Sequence, residues 1–123
     1  MKKILSLTSL LVILTLALAA CGGGGSSAQD PAALGKELFN QQVIGTQPGC
    51  VTCHSLEPGV VIVGPSLAGI ASRADEAYIR ESILDPNAQV VEGFPADTMP
   101  NVWGDELTPE QVDQLVAFLL TLK

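Results

Sequence analysis

The chain is poor in the side chains from which most active sites are built. Its 123 residues include one His, three Cys, two Met, one Trp, one Tyr and three Phe. A lone His54 offers no second imidazole to act as acid or base across a pocket. A cysteine/histidine zinc site needs four protein ligands and is short of them, because Cys21 lies in a segment with a different role. Positive charge is scarce as well, six Lys and Arg against thirteen Asp and Glu. Lys2 and Lys3 belong to the N-terminal segment, so Lys36, Arg73, Arg80 and Lys123 face all thirteen acidic residues, a balance of minus nine. Such a surface speaks against nucleic acid as a partner. It leaves two kinds of protein contact open, a basic face or an apolar patch.

What is present is concentrated in five residues, Cys50-Val51-Thr52-Cys53-His54. C-x-x-C-H is the attachment pattern of a c-type haem. Two thiols three positions apart can each form a thioether to a vinyl group on one porphyrin edge. The imidazole that follows reaches the iron from the proximal side. A thioredoxin-like pair would sit near a βαβ pattern, which this chain lacks. The second axial ligand follows by elimination. Haem iron of high potential is held by His and Met, and Met1 heads the N-terminal segment. That leaves Met99, within Asp97-Thr98-Met99-Pro100 in a stretch rich in Pro, Gly and Asp that reads as loop. The alternative is a methionine that fills a gap in the core.

Residues 1–20 read as an export signal: Lys2 and Lys3, an apolar run from Ile4 to Leu18, then Ala19 and Ala20. The run is short of the ~20 apolar residues that span hydrocarbon. Leu18-Ala19-Ala20-Cys21 resembles the lipobox of bacterial lipoproteins. That resemblance implies cleavage before Cys21 and lipid on its thiol, with two or three acyl chains giving a stable anchor. Residues 22–29 are a Gly/Ser tether with a reach on the order of 15 Å. Much of the 47% hydrophobic content belongs to the export segment, leaving residues 30–123 as one small domain.

Three helices are predicted in that domain. The first starts at Asp30 with Pro31 in the first helical position and runs to about Gln42, with Leu34, Leu38 and Phe39 as its stripe. The second covers about Asp75 to Leu84 and stops at Asp85-Pro86. The third opens on the capping box Thr108-Pro109-Glu110-Gln111 and buries Val112, Leu115, Val116, Leu119 and Leu120. Val60 to Val63 is compatible with a short strand; a loop packed over the haem is the preferred reading. The fold class is all-α, wrapped on a prosthetic group.

The order helix, C-x-x-C-H, Gly64-Pro65-Ser66-Leu67, helix, Met99-Pro100, C-terminal helix resembles a class I cytochrome c. The likeness covers essentially all of residues 31–123. It implies that Gly35 and Phe39 pack on the C-terminal helix near Phe118, and that the Pro65 carbonyl accepts from His54 and fixes its ring. The stretch from Tyr78 to Ala88, with Val91-Glu92-Gly93-Phe94 and Met99-Pro100, is similar to the cytochrome domain of some oxidase subunits II. It is also similar to the monohaem lipoprotein of alternative complex III. The copper domain and membrane hairpin of subunit II have no counterpart here. Arg73, Tyr78, Arg80 and Trp103 are candidates to bond or cover the haem propionates, or else are surface charges and a core aromatic.

These readings imply a cofactor-binding set of Cys50, Cys53, His54, Pro65 and Met99, with His54 and Met99 on the iron and one haem c. The expected function is electron transfer by a tethered carrier or a fixed complex subunit, without catalysis. The expected place is the outer side of a bacterial membrane, facing the periplasm or cell exterior. Expected partners are a terminal oxidase or a quinol-oxidising complex. The alternative class is a haem enzyme or gas-reactive protein with a displaceable distal ligand.

Overall fold

The computed structural model describes residues 29–123, so the export segment, Cys21 and the tether through Ala28 lie outside the described residues. Helix α1 spans Pro31–Phe39, with the Asp30 carboxylate accepting from the Ala32 amide at 3.1 Å. It ends three residues before the predicted Gln42. Asn40 closes it: its N–H and its side-chain amide both donate to the Lys36 carbonyl, at 3.2 and 2.8 Å, and the next amide, Gln41 N, turns to the Leu38 carbonyl at 3.1 Å, a tighter bond that ends the α-helical pattern. A small antiparallel hairpin follows, β1 (Val43–Ile44) and β2 (Gln47–Pro48), with Val43 opposite Pro48 and Ile44 opposite Gln47. Helix α2 is the single turn Cys50–Cys53, and a 3-10 turn covers Ile70–Ser72.

Helix α3 spans Glu76–Leu84. Asp75 caps it by accepting from the Tyr78 amide at 2.8 Å, and Asp85-Pro86 ends it as predicted. Helix α4 is another single turn, Trp103–Glu106, absent from the sequence reading. Helix α5 spans Pro109–Leu119. Its capping box is closed in both directions, with Gln111 N to Thr108 Oγ1 at 3.2 Å and Thr108 N to Gln111 Oε1 at 2.9 Å.

The core lies mainly between α1 and α5, built from Leu38, Phe39, Val112, Leu115, Val116, Phe118 and Leu119. Each such side chain removed from water contributes about 1.5–3 kcal/mol. Gly35 allows the close approach of the two helices: a Cβ there would press into the Gln114 carbonyl and lie 2.9 Å from the Phe118 Cβ. Phe39 and Phe118 meet with ring centroids 5.6 Å apart at 56°. The family-based expectation for this helix pair therefore matches the packing. Helix α3 lays Ile79 and Ile83 against the same core. Val60–Val63 is loop, without strand pairing, and its side chains stand exposed.

Candidate haem-attachment site

Hairpin and attachment turn are continuous. Gly49 N donates to the Gln42 carbonyl at 2.8 Å, and Thr52 Oγ1 donates back to the Gly49 carbonyl at 2.6 Å. The chain thereby enters α2 at a set angle. One helical turn brings residues three apart onto the same face, so Cys50 and Cys53 are neighbours there, half-buried and unbridged. Burial pushes the Cys50 thiol up to about 11, the nearby Cys53 adds to the rise, and a backbone hydrogen bond opposes it.

The chain leaves the helix at His54 in extended geometry (φ −117°, ψ 129°), which swings the ring out of the helical register. His54 Nδ1 lies 2.9 Å from the Pro65 carbonyl oxygen. A carbonyl only accepts, so Nδ1 carries the proton and Nε2 keeps its lone pair. Burial holds the His54 pKa below its ordinary value, partly offset by the Pro65 carbonyl. A neutral imidazole with one nitrogen committed and the other free is the form that ligates a metal. Gly64 faces the ring; a Cβ there would fall 2.9 Å from Nδ1 and 3.1 Å from Nε2.

The turn that carries Pro65 is braced on several sides. Val63 N and Gly64 N both donate to the Cys53 carbonyl, at 3.2 and 2.9 Å, and Leu67 N donates to the Ser55 carbonyl at 2.9 Å. Ser66 Oγ donates to the Glu57 carbonyl at 2.6 Å. Arg73 spans the far side, donating to the Ser66 carbonyl at 2.8 Å and the Ala68 carbonyl at 2.6 Å. Its guanidinium therefore serves the turn. The sequence reading assigned Arg73 to the propionates or the surface and missed this clamp, which involves only backbone acceptors and leaves no residue-type signature.

Met99 sits in the loop before α4, half-buried against the same core that Cys50 borders. The preceding segment is tied down where Asp97 N donates to Asn87 Oδ1 at 2.8 Å, with Asp97 in the left-handed region at φ 58°. The other propionate candidates separate clearly. Arg80 bonds Asp113 at 2.7 Å and Glu76 at 3.3 Å on the α3–α5 surface. Trp103 is buried, and its indole Nε1 has no hydrogen-bond partner. A buried donor left unpaired costs about 1–3 kcal/mol, so native proteins rarely keep one idle. An orphaned N–H in this core fits a buried carboxylate such as a haem propionate. Among the described residues no group of three or more His, Cys, Asp or Glu is placed to hold a metal ion. Cys21 lies outside the described residues.

The family model for cytochrome c matches residues 32–123, and the chain belongs to that family. Among the described residues, the helices and the small hairpin form the class I cytochrome c fold. Membership makes the protein a haem-binding electron-transfer cytochrome with covalently bound c-type haem, and such domains are typically extracytoplasmic. A comparison with curated proteins gave no match. No helix among the described residues is long and apolar enough to cross a membrane.

Proposed function

We propose that this protein is a membrane-tethered, monohaem electron carrier of a respiratory or photosynthetic chain, working outside the cytoplasm and anchored by lipid on Cys21. One observation carries the reading: two free thiols on one helical turn are followed at once by a neutral imidazole whose Nδ1 is committed to the Pro65 carbonyl. When bound, the haem supplies a one-electron couple. Cys50 and Cys53 would hold it by thioethers. His54 would take the proximal side of the iron through Nε2, with Pro65 fixing the ring plane and Gly64 leaving room for it. Met99 would take the distal side, where a thioether raises the potential. Trp103 Nε1 would donate to a propionate. An iron held by both His54 and Met99 would offer no open position to a substrate, which favours a carrier, or a non-catalytic complex subunit, over an enzyme. The lipobox-like Leu18-Ala19-Ala20-Cys21 supports the anchor. A terminal oxidase or a quinol-oxidising complex is the partner class that such a carrier serves.

Carbon monoxide tests the reading. The reduced wild-type protein is expected to bind it slowly or not at all, whereas Met99→Ala should bind it readily and show a lower potential. Fast, stoichiometric binding by the wild type would place a haem enzyme or gas-reactive protein ahead of the carrier.

A further inference from the structure

The stretch between α3 and Met99 is sparingly bonded. Among the described residues its backbone closes two short turns, Ala88 N on the Asp85 carbonyl at 3.0 Å and Phe94 N on the Val91 carbonyl at 3.1 Å. One bond reaches across it: the Asp97 amide donates to Asn87 Oδ1 at 2.8 Å, ten residues apart in sequence. Asn87 sits in the turn closed on Asp85, directly behind Pro86, whose ring fixes its own φ. That turn continues α3, which Ile79 and Ile83 bury in the core. The acceptor oxygen is therefore mounted on a firm part of the fold. At the other end, Asp97 is the one residue besides glycine that lies in the left-handed region among the described residues, at φ 58°. An L-residue takes that conformation at a cost and keeps it where its surroundings enforce it.

Two residues of chain span at most about 7 Å, so an Asp97 amide held by Asn87 leaves Met99 little room to wander. Rotation in φ turns the chain about the N–Cα bond. With the amide pinned, the value of 58° sets the direction in which Thr98 and Met99 leave. On the far side, Pro100 biases Met99 towards extended backbone. We infer that Asn87 is a positioning residue for the distal ligand, its Oδ1 locking the loop in the form that presents the Met99 thioether. The inference rests on the reading of Met99 as that ligand and adds a residue that acts through it. For Met99 to leave the iron the loop must shift, and the Asn87–Asp97 bond is given up in the shift. The bond thereby favours the ligated state by its own net strength.

The test uses the full haem-loaded chain with two readouts. Carbon monoxide binding to the reduced protein times the release of Met99, and the far-red absorption of the oxidised protein reports the iron–thioether bond. Asn87→Ala is expected to bind carbon monoxide about fivefold faster than wild type, the effect of one net hydrogen bond. Its far-red band should fade on heating well before the protein unfolds. Asn87→Asp, which keeps an acceptor oxygen in place, should restore both properties. In a Met99→Ala background Asn87→Ala should change nothing, because the group it positions is gone. A wild-type rate in Asn87→Ala overturns the inference, as does a lowered Tm with rate and band unchanged, which would make the bond a support for the loop alone. Equal acceleration in the Met99→Ala background also overturns it, by showing that Asn87 governs access to the iron. If Asn87→Ala does not accumulate, Asn87→Gln, which displaces the acceptor by one methylene, carries the same expected outcomes. Fast, stoichiometric binding by wild type would fail the Met99 assignment and the inference with it, a result distinct from slow binding in wild type and Asn87→Ala alike.

Discussion

Glu106 joins two parts of the molecule that serve the site. Its carboxylate accepts from Thr46 Oγ1 at 2.5 Å and from Thr46 N at 3.2 Å, tying the hairpin that feeds Cys50 to the helix that carries Trp103. The hydroxyl and the amide of Thr46 hold the Glu106 carboxyl below its ordinary 4.5. A carboxylate with a depressed folded pKa stabilises fully above its unfolded value, and that contribution is lost as pH falls through the folded value. Thr46→Val should therefore lower Tm near neutral pH, and the difference from wild type should close as the pH drops well below 4.5. A difference that persists unchanged in acid would mean that Thr46 acts through packing alone. At this scale the pentapeptide and Met99 stood out in the sequence because their residue types are scarce. The Pro65 acceptor came from the family likeness, and the structure places it 2.9 Å from the ring. The Arg73 clamp and the Gly64 cradle were not legible, because both depend on where backbone atoms come to lie.

Among the elements, the α1–α5 contact makes the sharpest demand. In an open helix, Gly35→Ala would gain about 1 kcal/mol from propensity. Here the added methyl meets a backbone carbonyl, which has no rotamer to move, and the Phe118 Cβ at 2.9 Å. Overpacking of this kind costs about 1–3 kcal/mol, so thermal unfolding should show a lower Tm for Gly35→Ala. A raised Tm would mean that the helices separate without penalty. The three long helices were readable because caps and stripes repeat over several turns: Asp30-Pro31, Asp75 and the Thr108/Gln111 box all do what their residue types suggest. The hairpin and the one-turn helices α2 and α4 were not, since two to four residues are too few to show a period. Helix α1 stopped short at a local turn, where Gln41 N bonds the Leu38 carbonyl in place of the Glu37 carbonyl that a longer helix would use.

At the scale of the whole molecule, the proposed function requires lipid on Cys21 and a tether ahead of the haem domain. Cys21→Ser should release the protein from membranes or leave its signal uncleaved. Wild type should stay with the membrane through a high-salt wash, because acyl anchoring is hydrophobic and indifferent to salt. Wild-type protein found soluble after that wash would contradict the anchor. The central claim is the covalent haem. It is tested most directly by the intact mass of the purified protein after acid-acetone extraction, compared with Cys53→Ala. Wild type is expected to keep the mass and Soret absorbance of one iron porphyrin, while the variant loses colour or fails to accumulate. Colour that passes entirely into the solvent, leaving a chain without porphyrin mass, would contradict the roles given to Cys50 and Cys53.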